Sequence, residues 1–470
     1  MIAMSAIAYI KKRELELEII FQGSESKGIL ALSDIPFVIY DEYIDTYRAL
    51  PCAYWEIKRK LVLFGFKVES DINENLDLGT EFRKEVVLRP YQRKAIETLN
   101  KKKYRGVIVL PTGAGKSIIG LYIIKKLKRK TLIVVPTIEL MDQWRSKIMQ
   151  ILAPRSDIIG MWGGGRRDIR DITITTYQSA CKRDFILKGM DSFDLIIFDE
   201  AHHLPASTYI EIAKRLIANY RVGLTATPRR VDRRERLLPV FVGDIIQCAG
   251  MRELVREGYL AECEYEKIRV RMNEDERKKY LKLMKVYRDY VKENFPQLSG
   301  RKAFDNVVKR AWRDKRAKEA LESRMKAKSI AMAPKSKIKA INELLKRHRE
   351  DKVIIFTRLR RTAHLIGYTF GIPVITSDVP KHVRREIFRM FKLGKVSKMV
   401  SAEALDEGID VPDASVGIIV SGTSSERQYV QRVGRVLRPK SKKAKIYELV
   451  TVKSFDEFMS KARKGLIRRD

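Results

Sequence analysis

From Leu88 onward, short β-branched runs alternate with amphipathic, helix-length stretches. This alternation limits the possible folds more than any other feature. Runs at 106–110, 131–135, 172–175, 195–198 and 222–224 are each bounded by Gly, Pro, Asp or Thr. Their apolar residues are continuous rather than alternating. Such strands are buried on both faces, as in a parallel sheet covered by helices. The same grammar returns at 353–356, 373–375, 399–400, 416–420 and 446–450, without a tight internal repeat. Two α/β units are therefore predicted. The chain has 470 residues; at about 150 residues per domain there is room for about three.

The run at 106–110 leads into Pro111-Thr112-Gly113-Ala114-Gly115-Lys116-Ser117 and then a helical stretch. Gly113 and Gly115 let the backbone curl so that its N–H groups face a phosphate. The positive end of the following helix points at the same spot. Lys116 is suited to the β- and γ-phosphates, and Ser117 to Mg²⁺. Leu110 stands where the strict phosphate-loop pattern has its first glycine, leaving the shorter form. The run at 195–198 ends in Asp199-Glu200-Ala201-His202. Asp199 can hold the metal's water shell, and Glu200 can polarise an attacking water. His202 and His203 are adjacent and point different ways, so no metal site is expected there.

Composition supplies the partner. Lys and Arg total 95 against 59 Asp and Glu, a net charge of +36. Such an excess calls for a polyanion, nucleic acid before an anionic membrane. No apolar run approaches the roughly 18–20 residues of a membrane helix, and the N-terminus does not read as a signal peptide. Cys52, Cys181, Cys248 and Cys263 are scattered, which speaks against zinc, an iron–sulfur cluster or a disulfide framework and fits a reducing cytosol. Abundant Lys, Arg and Glu with few Asn and Gln suggest a hot habitat.

Residues 1–85 mix short β-like runs with a predicted helix at 54–64 and carry no chemical motif. Residues 273–330 hold 18 Lys and Arg against 9 Asp and Glu and lack strand-like runs. They read as a basic pair of helices hinged near 296–300, either a solvated linker or a projection that contacts DNA.

In order, these motifs resemble superfamily 2 helicases, and within them the XPB family in its archaeal branch. The resemblance runs from Leu88 to Arg438. Leu88-Arg89-Pro90-Tyr91-Gln92 is similar to the element that grips adenine, which implies Arg89 beside the nucleotide and Gln92 on the base edge. Val135-Pro136-Thr137 with Gln143-Trp144, and Thr175-Thr176-Tyr177-Gln178, resemble elements that hold the DNA backbone. Leu224-Thr225-Ala226-Thr227-Pro228 resembles the motif coupling hydrolysis to strand movement. Ile355-Phe356-Thr357 and Asp406-Glu407-Gly408-Ile409-Asp410 resemble motifs of the second α/β unit, placing Thr357 on DNA and Glu407 and Asp410 near the ribose. The stretch from Gln431 to Arg438 resembles the last motif. It implies Gln431 near the nucleotide, Arg432 on DNA, and Arg435 and Arg438 as arginine fingers, three apart on one helix face.

The resemblance implies two RecA-like parallel-sheet domains, at 86–248 and at 249–272 with 331–470. It adds a small N-terminal α+β domain at 1–85 that senses distorted DNA, and a thumb-like basic helical insertion at 273–330. The family's duplex-opening Arg-Glu-Asp triplet corresponds to Arg230-Val231-Asp232, where the glutamate is missing. The implied activity is an ATP- and Mg²⁺-dependent, sequence-independent DNA helicase or translocase, with 3′–5′ polarity and a role in excision or transcription-linked repair. The implied setting is a cytoplasmic, nucleoid-associated one, with a nuclease as partner. An RNA helicase, or an ATP-gated clamp with little unwinding, remains open at this level.

Overall fold

A computed structural model describes residues 6–230, 232–259, 263–402, 414–421 and 444–460. The strands Thr131–Val135, Ile172–Thr176 and Leu195–Asp199 are buried at every position. Burial on both faces is what their unbroken apolar character requires. They lie in an eight-stranded sheet. From edge to edge its order is Ile245–Gln247, Arg105–Val109, Tyr220–Thr225, Leu195–Asp199, Thr131–Val135, Ile172–Thr176, Ile159–Gly163 and Arg166–Arg167. All neighbours pair parallel except the last. Parallel strands put their C-terminal ends on one edge, where ligands of open α/β sheets bind. The residues Thr112, Thr137, Thr176, Asp199 and Thr225 all lie at or just beyond those ends.

The small N-terminal sheet is a body of mostly antiparallel strands, with Lys67–Ser70 added in parallel to Ile7–Arg13. The predicted helix forms as Tyr54–Leu63. This body is fixed to the larger sheet. Met190 and Ile217 are buried in its core, and Asp191 pairs with Lys12 at 2.6 Å and accepts the Asn73 N–H at 3.1 Å. Phe37 stacks on Phe241 with ring centroids 5.2 Å apart.

The second α/β unit is an all-parallel sheet. Its order is Cys263–Val270, Ala444–Thr451, Val416–Ile419, Val353–Thr357, Lys398–Ala402 and Val374–Ile375. The edge strand Cys263–Val270 precedes the helical insertion in sequence yet pairs here.

The insertion differs from its sequence expectation: it holds three helices, Glu274–Asn294, Gly300–Arg310 and Lys315–Met332, not two. A second break falls at 311–314, where Asp314 caps the last helix by accepting the Arg316 N–H at 2.8 Å. That break contains no Pro or Gly, so it left no ordinary punctuation mark. Tyr287 and Tyr290 on the first helix pack near Ala317 and Ala320 on the third; further along, Tyr280 meets Ala327 and Ala331. Large rings on one helix against small residues on the other let the two lie close.

Candidate active site

Gly113 and Gly115 take φ of +88° and +76°, the left-handed region that lets the loop curl before the helix Lys116–Leu127. At Gly115 an added Cβ would stand 2.6 Å from Gln92 Nε2. The loop is braced from behind: Tyr91 Oη and Gln92 Nε2 both donate to Ala114 O, at 2.9 and 3.0 Å. Gln92 Oε1 accepts the Arg89 N–H at 2.9 Å. Gln92 is thus buried with both ends of its amide on backbone. It caps its own helix, Pro90–Lys101, and holds the phosphate loop at the same time. Arg89 is exposed at that helix's N-cap.

Lys116 Nζ folds back onto Leu110 O at 3.3 Å and Pro111 O at 3.5 Å. Thr112 Oγ1 is buried with no hydrogen-bond partner among the described residues. Ser117 Oγ accepts from Lys147 Nζ at 2.8 Å. Sequence reasoning missed Lys147; it lies 30 residues away and nothing in its neighbourhood marks it.

Asp199 ends its strand with one carboxylate oxygen on Trp144 Nε1 at 2.8 Å and the other on the Glu200 N–H at 3.0 Å. Glu200 has φ of +48°, a conformation that costs a non-glycine residue about 1–2 kcal/mol. It turns the chain sharply after Asp199. Tyr177, fully buried, donates its hydroxyl to Asp199 O at 3.0 Å. Burial first, then Asp199 and Glu200, hold that phenol well above its ordinary pKa, so it remains a donor.

His202 Nδ1 and Thr225 Oγ1 are 2.9 Å apart, and the same hydroxyl accepts the Thr227 N–H at 3.2 Å. Arg230 donates to His202 O at 2.6 Å and grips Asp232 with two bonds of 2.8 and 2.7 Å. Glu235 accepts the Arg230 N–H at 3.2 Å. Arg230 therefore ties the turn after Glu200 to Asp232, with Glu235 joined to the segment whose triplet lacks a glutamate. Arg230, then the Arg234 N–H, hold the Asp232 carboxyl well below its usual range.

The residues expected on DNA separate into two groups. Thr137 and Thr176 follow neighbouring strands and cap the next helices, accepting from Leu140 and Ser179 at 3.3 and 3.1 Å. Gln178 is exposed and Gln143 half-buried on those helices. Thr357, by contrast, is fully buried, its hydroxyl 3.0 Å from that of Ser421. It joins two strand ends. Glu407, Asp410, Gln431, Arg432, Arg435 and Arg438 lie outside the described residues.

Two parallel RecA-like sheets, with a phosphate loop and paired carboxylates on the C-terminal edge of the first, define a motor ATPase of the helicase class. Residues 85–230 match the family described as "Type III restriction enzyme, res subunit", and residues 336–440 the "Helicase conserved C-terminal domain". The chain is 37% identical to the "DNA 3′-5′ translocase XPB2" of Sulfurisphaera tokodaii, over 93% of this chain and 98% of that one. It is 30% identical to the "DNA 3′-5′ helicase XPB" of Mycobacterium tuberculosis, over 82% of this chain and 65% of that one. The solved helicase domain of Pyrococcus furiosus Hef shares the fold, with a TM-score of 0.53 at 20% identity, covering 80% of this chain and 98% of that one. The chain belongs to the XPB family of superfamily 2 helicases.

Proposed function

We propose that the chain is an ATP-driven DNA translocase of 3′–5′ polarity that opens or remodels duplex DNA during repair. One observation carries this reading: the phosphate loop, Asp199-Glu200 and the Thr225 turn meet on one sheet edge, beside the Thr137 and Thr176 turns. A 37% identical relative that is a 3′–5′ translocase supports the polarity and the DNA substrate.

The residues suit ATP with Mg²⁺. Ser117 and Asp199 are hard oxygen donors that would hold the ion, which would neutralise phosphate charge when bound. Thr112 Oγ1 is a buried donor without a hydrogen-bond partner among the described residues. Lys116 leaves its two carbonyls for the β- and γ-phosphates, and Gln92 keeps the loop curled from behind. Glu200 orients the attacking water. By sequence motif, Arg435 and Arg438 are assigned to the γ-phosphate. Glu407, Asp410, Gln431 and Arg89 are assigned to the rest of the nucleotide, and Arg432 to DNA. Thr137, Gln143, Thr176 and Gln178 track the DNA backbone, so binding is largely sequence-independent and falls steeply with salt. Forked or distorted duplex as the preferred substrate, a nuclease partner and a nucleoid setting are part of the proposal on family resemblance.

The test is Lys116→Ala, measured as DNA-stimulated ATP hydrolysis. Near-complete loss is expected; wild-type turnover would remove the site assignment. Comparing stimulation by duplex DNA, forked DNA and RNA tests the substrate, with stronger stimulation by RNA overturning it.

A further inference from the structure

The turn between the second and third helices of the insertion reads Lys309-Arg310-Ala311-Trp312-Arg313-Asp314-Lys315-Arg316. Trp312 is 91% exposed, whereas Trp144 and Trp162 are 1% and 4% exposed in the core. This exposure does not come from a loose loop. The Ala311 N–H donates to Val307 O at 3.0 Å, and the Arg313 and Asp314 N–H groups both donate to Arg310 O at 2.9 Å. Asp314 caps the next helix and accepts the Tyr290 hydroxyl. Arg310 lies 4.7 Å from the centre of the Phe295 ring and donates to Asn294 at 3.0 Å. Arg316 forks onto Glu293 at 3.1 and 2.6 Å. The backbone under Trp312 is therefore pinned to the end of the first helix on both sides, and the indole is held out from it.

An indole is a large apolar surface whose burial is favourable and whose flat face stacks on other rings. A rigid turn presenting it to water lacks an internal reason to do so. Beside it, Lys309, Arg310, Arg313 and Asp314 line an open hollow. A flat ring amid cations matches one ligand chemistry: an unstacked nucleobase with phosphates on either side. An apolar protein surface would be matched by the ring but not by the charges.

We propose that Trp312 stacks on an unpaired base where duplex DNA gives way to single strand, while Lys309 and Arg313 hold the flanking phosphates. The proposal rests on the reading of the chain as a DNA motor and deepens it by naming a base-contacting residue on the insertion. Stacking needs a free base face, so it distinguishes a junction from paired duplex, which phosphate contacts alone do not.

The experiment uses the full chain and two DNAs of equal length, one fully paired and one a fork with unpaired tails. Affinities of wild type, Trp312→Ala and Trp312→Phe are measured at fixed salt by anisotropy of labelled DNA. Trp312→Ala is expected to weaken fork binding roughly tenfold, as loss of one stacked base predicts. Its affinity for paired duplex should change less than twofold, and Trp312→Phe should keep most of the fork preference. Unchanged fork affinity in Trp312→Ala overturns the proposal and leaves the turn as a surface for a protein. An equal loss on both DNAs also overturns it, because the residue would then serve a general grip. DNA-stimulated ATP hydrolysis by the wild-type chain is measured alongside. Its absence would sink the motor reading while leaving the binding comparison to stand by itself.

Discussion

The indole Nε1 of Trp144 donates to the Asp199 carboxylate across 2.8 Å, with both side chains buried. Trp144 sits on the helix Ile138–Lys147, whose N-cap is Thr137. A residue expected to touch the DNA backbone thus begins the helix whose other end holds the carboxylate assigned to Mg²⁺. The indole has no room to swing: a Cβ added at Gly120 would lie 2.7 Å from its ring. A shift of that helix on DNA binding would therefore reach Asp199 directly. Replacing Trp144 with Phe keeps an aromatic ring in a smaller side chain and removes a hydrogen bond to a charged group, worth about 1.5–3 kcal/mol. The expected outcome is a roughly tenfold fall in the ratio of DNA-stimulated to basal ATPase. An equal fall in both rates would show that the bond only supports the fold.

Lys147 donates to the Ser117 hydroxyl at 2.8 Å. A cation on the oxygen assigned to Mg²⁺ competes with the ion both by charge and by occupying a lone pair. Lys147→Met should lower the Mg²⁺ concentration giving half-maximal ATPase several-fold, on the order of one unfavourable like-charge contact. Magnesium titrations of the two proteins check this, and coincident curves would refute competition.

The sequence grammar located the strands that carry the site because those strands are buried on both faces and so cannot alternate. It missed Ile159–Gly163, interrupted by Gly160 and ending in a run of glycines, and Cys263–Val270, an edge strand whose charged residues hide its apolar pattern. The motif positions of Lys116, Asp199 and Thr225 were legible, since loop chemistry requires particular residues at fixed spacing. The orientation of Gln92 and the burial of Thr357 were not, because a motif names a residue without saying which neighbours claim its hydrogen bonds. Charge was also misleading when taken as a whole. Residues 1–85 hold 11 Lys and Arg against 15 Asp and Glu, so this segment is acidic in a strongly basic chain. The positive excess lies entirely in the remainder.

Buried charge was equally invisible in the sequence. Lys337 and Asp456 form an ion pair at 2.7 Å with side chains 0% and 1% exposed, and the Asp456 carboxylate also accepts the Thr451 N–H at 3.0 Å. Lys337→Met leaves that carboxylate in the core without its counter-charge, which costs about 3–5 kcal/mol. Adding Asp456→Leu should recover part of the loss. Denaturant midpoints of the single and double variants measure it. A double variant less stable than the sum of the two single changes would contradict this account.

Lys328, on the last insertion helix, has its pKa pulled down to about 8 by burial first, then by Arg358 and Arg324. Its ammonium lies 5.2 Å from the centre of the Phe455 ring. The sign follows from proton counting. Below about pH 8 the lysine is protonated in both folded and unfolded chains, so its cost to the folded state is fully present and does not change with pH. Between about 8 and the unfolded value near 10.4 the unfolded chain binds the extra proton, so stability rises with pH. Wild type should therefore gain stability relative to Lys328→Met as pH goes from 7.5 to 9.5. Comparing the two proteins removes the titration of every other group. DNA phosphate placed against these cations favours the charged form, so complex formation at pH 9 should take up a proton that the variant does not. Denaturant midpoints at the two pH values, and the buffer dependence of the binding heat, test the two halves. Parallel pH profiles for wild type and variant would show that Lys328 keeps its ordinary pKa.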